Sequence, residues 1–233
     1  MLNFPMPYPD ELLYSTVARA GVHFGITSPK QLLDEVFNNR KVVATADLPS
    51  HIQAISEQYP KSLDLTAETL AYKHTLFPLY APFIPEPRRL KSLNRMMHCT
   101  KGAVHLALGV TTSQIQQKQH FRLCPECMEE QLSKYGEYYW ARQWQAAGYK
   151  YCLKHAELNS TRYALHNYHR HSFIALAPTT ACLPPRSNSP PRDKRIEKRV
   201  EELLSLPPTH SPSFEQWNLL YKQVARTCKV PVN

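Results

Sequence analysis

In YPDELLYSTVARAGVHFG, Leu13, Val17, Ala20 and Phe24 recur at helical spacing. This predicts an amphipathic helix with Asp10 as its N-cap and Gly25 at its end. TSPKQLLDEVFNN follows at once. Ser28 suits an N-cap, Pro29 the first helical position and Gln31 the reciprocal place in a capping box. Leu32, Leu33, Val36 and Phe37 then supply one buried face. The tight connection FGITSP is compatible with a helix-turn-helix, and equally with two helices that merely pack together.

Further helices are expected at 49–58, 67–76, 87–99 and 103–108, several of them separated by prolines at 60, 78, 82, 85 and 87. HTLFPLYAPFIPEP should be irregular, pinned by Leu76, Phe77, Tyr80 and Phe83. Trp140 and Trp144 stand four apart, as on one helix face. YALHNYHRHSFIAL alternates and suggests a short strand. CLPPRSNSPPRDKR reads as an extended linker. Two amphipathic helices come after it, one with Ile196, Val200 and Leu203 in line, the other with Phe214, Trp217, Leu220, Tyr221 and Val224. The expected fold is mainly α. It has a helical, helix-turn-helix-like region over 1–115, a zinc ribbon with little β structure over 116–178, a linker over 179–193 and C-terminal helices over 194–233.

Composition agrees. Of 233 residues, 42% are apolar, which suffices for a core, and 6 glycines against 20 prolines suit short helices better than a glycine-turned sandwich. Lys and Arg total 28 against 19 Asp and Glu, a net charge of +9. Such a balance favours a polyanionic partner. No apolar run approaches the ~20 residues that cross a bilayer. The start, MLNFPMPYPDE, has neither the basic residues nor the apolar stretch of a signal peptide. An intracellular chain with reduced thiols is therefore expected, in which six cysteines suggest metal ligation before disulfides.

Cys124 and Cys127 form C-x2-C, Cys152 and His155 form C-x2-H, and 24 residues lie between the two corners. Each corner can aim two ligands at one point, and Cys3His completes a tetrahedron around Zn2+. A full shell leaves no position for water, so the zinc is expected to be structural. The segment HAE, His155 to Glu157, resembles the H-x-E of zinc deaminases, but there the cysteine pair follows the histidine, and here it precedes. A zinc-dependent deaminase or hydrolase is thus one alternative, and a zinc-ribbon transcription factor another. Cys99, Cys182 and Cys228 have no ligand spacing, and Cys99 is expected in the core.

Phosphate contact needs cations on an otherwise packed element. EPRRLKSLNRMM offers Arg88, Arg89, Lys91 and Arg95 opposite Leu90, Leu93 and Met97. Around the metal corners, Arg122 and Arg142 are further candidates, with His169 and Arg170 after them. Double-stranded DNA is the expected polyanion.

The start PYPDELLYSTVARAG and the block R-x-C-P-x-C…W-x-x-x-W…C-x-x-H resemble the TniQ family and, within it, the TnsD proteins. SPKQLLDEV, NRKVVAT, HTLFPLYAPF and GAVHLALGV add to the likeness, which covers about residues 1–176 and, more weakly, SPSFEQWNLLYKQVA. The resemblance implies a non-enzymatic, nucleoid-associated bacterial protein that selects target sites for a cut-and-paste transposon. Such a protein binds attachment-site DNA, or a CRISPR effector in guided systems, and recruits an AAA+ ATPase regulator. It also implies the same zinc ligands, and a docking surface for the ATPase on the polar side of the first helix, at Glu11, Tyr14, Arg19 and His23. Deleting residues 1–25 is then expected to abolish recruitment and spare the ribbon's metal. Family members usually extend past position 233, so the chain is taken for a truncated member or a short adaptor.

Overall fold

The computed structural model describes residues 3–99, 103–111, 119–165, 170–183 and 194–228. Helix α1 spans Leu13–His23 and α2 spans Pro29–Phe37. The Ser28 hydroxyl accepts from the Gln31 amide, Pro29 opens the helix, and Leu32, Leu33, Val36 and Phe37 are all buried, as the pattern requires. Gly25 adopts φ +63° in the intervening turn, a left-handed conformation that a Cβ disfavours. Helices α3 (Ile52–Ser56), α4 (Ala67–His74), α5 (Glu86–Met97) and α6 (Val104–Ala107) complete this half. The aromatic, proline-broken stretch forms two 3-10 turns, Phe77–Leu79 and Ala81–Phe83.

The second half is built on a small antiparallel sheet in the order β1 (His120–Leu123), β2 (Asn159–Ala164), β3 (Cys182–Leu183). Helix α7 (Pro125–Tyr135) follows β1 directly. Helices α8 (Arg195–Leu204) and α9 (Phe214–Thr227) close the chain. The molecule is thus mostly helical with one three-stranded sheet, and no helix among the described residues is long and apolar enough to cross a membrane.

Two apolar cores meet at α1. Leu13, Val17 and Ala20 pack with α2–α6, whereas Leu12 and Tyr14 pack with Phe121, Trp140, Trp144, Tyr149 and α8. Both faces of α1 are therefore covered, from Leu13 to Gly21.

Several elements differ from expectation. Residue Asp10 does not cap α1; its φ is +56° and its carboxylate pairs with Arg142. The expected helix around Trp140 is absent, because Leu12 donates to the Trp140 carbonyl at 2.9 Å and Arg142 to the Asp10 carbonyl at 2.8 Å. That pairing bridges Glu11 to Ala141 and leaves only a 3-10 turn at Gln143–Gln145 after it, and tertiary hydrogen bonds override the periodicity. Strand β2 lies mostly before the alternating stretch that suggested it. Phe24 and Cys99 are exposed rather than core. On α8 the covered face is Glu197, Val200 and Leu204, rotated from the expected Ile196–Val200–Leu203 stripe. No side chain of α9 is fully buried; Trp217 stacks on Phe83 at 5.4 Å, and the rest of the apolar face is exposed.

Candidate metal centre

Strand β1 ends at Leu123 and delivers Cys124 to the N-cap of α7. Pro125 takes the first helical position, where its missing N–H costs nothing, and Cys127 falls in the same first turn. The second corner is a hairpin: Tyr151 bridges Glu157, and Cys152 donates its amide to the Ala156 carbonyl at 2.9 Å. The hairpin runs straight into β2, which pairs with β1 through Leu123 and Asn159. The two corners are therefore brought together by the sheet that flanks them.

Cys124, Cys127, Cys152 and His155 bring their ligand atoms within 4.8 Å of one another. The Nδ1 atom of His155 lies 3.4, 3.3 and 3.6 Å from the sulfurs of Cys124, Cys127 and Cys152, and Cys127 and Cys152 are 3.5 Å apart. A tetrahedral ion with metal–sulfur bonds of ~2.3 Å and metal–nitrogen bonds of ~2.0–2.1 Å would give edges of roughly 3.5–3.8 Å. The cluster fits one metal ion. Hydrogen bonds from Cys124 and Cys127 hold the Cys152 thiol well below the ordinary range, and hydrogen bonds with Cys127 and then Cys152 hold that of Cys124 well above it. One cation would relieve this sharing by taking all three sulfurs as thiolates.

The imidazole is oriented from outside. Its Nε2 faces Glu130 at 3.4 Å, and Glu130 also pairs with Lys154 at 2.8 Å. With Nδ1 turned to the sulfurs, the ring proton belongs on Nε2, the arrangement usual for a ligating histidine. Lys194, which precedes α8, donates to the carbonyls of Cys152, Leu153 and His155 at 2.6, 3.2 and 2.9 Å. Sequence reasoning missed Glu130 and Lys194. A carboxylate three residues past Cys127 on one helix was a faint signal for the first; nothing in the sequence marked the second.

A model of the TniQ family matches residues 2–158, a stretch that includes all four ligands and most of both cores. The chain belongs to the TniQ family. It is also 45% identical over 228 residues to transposon Tn7 transposition protein TnsD of Escherichia coli. That alignment takes in 97% of this chain and 45% of the relative, so the chain spans a little under half the relative's length.

Within this TniQ chain the candidate DNA contacts separate into two classes. Arg88 and Lys91 are exposed, Arg95 is half-buried, and the three share one face of α5. Arg170 is exposed, and His169 lies outside the described residues. Arg89, Arg122 and Arg142, in contrast, are interior. Arg89 grips Glu86 through Nε and Nη2 at 2.7 and 2.5 Å and donates to the Tyr72 hydroxyl at 2.6 Å. Arg122 donates to the carbonyls of Tyr149 and Ala146. Arg142 joins Asp10, Tyr72 and Leu204 at 2.9, 2.7 and 2.9 Å, and so ties the N-terminus, α4 and α8 together. These three arginines are corrected from phosphate contacts to internal struts, because their guanidinium groups are buried and bonded to acceptors inside the protein.

The candidate docking surface on α1 is corrected likewise. Glu11, Tyr14 and Arg19 are buried, and only His23 is exposed. Tyr14 packs between Phe121 and Phe173, and its hydroxyl accepts from the Ile174 amide at 2.9 Å. His23 pairs with Glu137 at 2.8 Å, as does the Tyr8 hydroxyl at 2.5 Å. A helix that looks amphipathic from its first core alone is here sandwiched between two.

Proposed function

We propose that this chain is a target-selection adaptor for a cut-and-paste DNA transposon. In this reading it engages attachment-site DNA, or a CRISPR effector, and recruits an AAA+ ATPase that directs the transposase. It acts in the bacterial cytoplasm and performs no catalysis. The observation that carries the reading is the TniQ match over residues 2–158, joined to 45% identity with TnsD along nearly the whole chain.

Zinc is the metal this donor set suits best, since three thiolates and one imidazole in a tetrahedron favour it. Cys124, Cys127, Cys152 and His155 would hold the ion, which supplies cross-linking of β1, α7 and the hairpin. Four protein donors leave no place for a reactive water, which weighs against deaminase or hydrolase chemistry.

For DNA, the arc of exposed Arg88 and Lys91 and half-buried Arg95 on α5 is favoured. Helix α2 is the recognition helix that a helix-turn-helix reading would use, but its outward residues include Glu35, which repels phosphate, and Asp34, which is paired with Arg40. The division into 1–115, 116–178, 179–193 and 194–233 is retained as the functional layout, with the two halves joined through α1.

The test is co-retention of the transposon's AAA+ ATPase on immobilised protein, with and without attachment-site DNA. Retention that rises with the DNA is expected. No retention in either condition would overturn the adaptor reading, and product from a nucleic-acid deamination assay would support the alternative.

A further inference from the structure

Helix α8 is docked on the metal hairpin by an ordered set of polar contacts. As the helix advances from 194 to 204, its partners retreat from 155 to 142. Lys194 holds the carbonyls of Cys152, Leu153 and His155. Glu197, buried, accepts from the amides of Lys150 and Tyr151 at 3.0 and 3.2 Å. Glu201 accepts from the Tyr149 hydroxyl at 2.6 Å, and the Leu204 carbonyl from Arg142 at 2.9 Å. Val200 and Leu204 are the fully buried apolar side chains of this helix.

The top of this ladder touches the ligand set itself. The carbonyls that Lys194 holds belong to the ligands Cys152 and His155 themselves and to Leu153 between them. The Lys194 ammonium thus fixes the turn that carries both ligands of the second corner. The charge balance points the same way. A dication with three thiolates and a neutral imidazole carries −1, and Lys194 brings +1 to its backbone side.

We propose that Lys194 is a positioning residue of the metal centre and that metal binding and docking of α8 are thermodynamically linked. The inference rests on the zinc reading above. Linkage is reciprocal: if docked α8 raises metal affinity, bound metal must stabilise docked α8 by the same factor. The metal centre then does more than staple one half of the protein; it governs whether the chain beyond the linker is held against the body.

The experiment measures zinc affinity by chelator competition on the full chain, and amide hydrogen exchange over residues 195–204 by mass spectrometry. Lys194→Met should weaken zinc binding by about 10- to 100-fold, the usual effect of losing an outer-shell partner. Lys198→Met removes the same charge from an exposed site on the same helix and should change it by less than about threefold, as surface charges contribute little. Glu197→Leu, which touches no ligand, should weaken zinc as well, because it undocks the helix. Removal of zinc from the wild type should speed exchange in α8 before it does so in α2. Wild-type zinc affinity in both Lys194→Met and Glu197→Leu sinks the linkage alone, as does unchanged α8 exchange on chelation. A wild-type protein that takes up no stoichiometric zinc sinks the metal reading, and this inference with it.

Discussion

The guanidinium of Arg19 holds both carboxylate oxygens of Glu11, at 2.8 and 2.9 Å, with both side chains buried at the seam between the two cores. Arg19 further reaches Glu137 at 2.5 Å and the Met6 carbonyl at 2.7 Å, and lies 4.2 Å from the centre of the Tyr8 ring. The pair fixes the chain's entry to α1 against the loop after α7.

Breaking this pair should unfold rather than merely disarm. Arg19→Met leaves the Glu11 charge buried without its partner, a change that typically costs about 3–5 kcal/mol. Chemical denaturation should show a loss in that range. A loss below about 1 kcal/mol would mean the seam tolerates an unpaired carboxylate. By the same logic, Tyr14→Ala with Arg19→Glu is no surface probe, and deletion of residues 1–25 should strip both cores together.

Cys127→Ser should lose the metal and, with it, the second core. Binding energy at a structural site is also folding energy. Zinc content should fall well below one per chain, and the near-ultraviolet signal of buried Trp140 and Trp144 should collapse. Full zinc retention would falsify the ligand assignment.

His74 makes stability pH-dependent. Its Nδ1–H donates to the Glu11 carbonyl at 2.9 Å inside the protein, and burial pushes its pKa down to about 4 from an ordinary 6.5. The folded state therefore keeps this ring neutral, while the unfolded chain takes up a proton below 6.5. The stabilisation is complete above pH 6.5 and is lost as pH falls toward 4. His74→Gln can still donate to the carbonyl but cannot titrate. The difference in unfolding free energy between wild type and variant should tilt against the wild type from about pH 6.5 to about 4.5, and equal slopes would refute the assignment.

Reversing Arg88, Lys91 and Arg95 together to Glu should weaken DNA binding on all sequences alike, since phosphate contacts carry no base information. The slope of log affinity against log salt should become shallower by about 1 for each phosphate that is no longer neutralised. Arg89→Leu should act differently and reduce stability, because it strands Glu86 and the Tyr72 hydroxyl. Unchanged affinity in the triple variant would move the DNA-binding surface away from α5.

Local chemistry was legible in the sequence wherever the physics is local. The α2 cap, its proline and its four buried apolar residues follow from spacing along one chain segment, as do the two metal corners. Ligand spacing within each corner restricts where the side chains can aim, so the metal cluster could be suspected before any tertiary contact was known. What only the tertiary structure decided is which charges are free. Arg142 and Asp10 are 132 residues apart in sequence, and Arg19 and Glu137 are 118 apart, so no local pattern distinguishes these struts from the open Arg88. The same holds for α1, which is amphipathic toward one core and becomes enclosed only when Trp140 and Phe121 arrive from the other half. It holds again for Glu197, a charged residue on the buried face of α8 that is stable there because two distant backbone amides satisfy it. The order of residues sets which donors and acceptors the chain carries, and the fold decides which of them stay open to solvent.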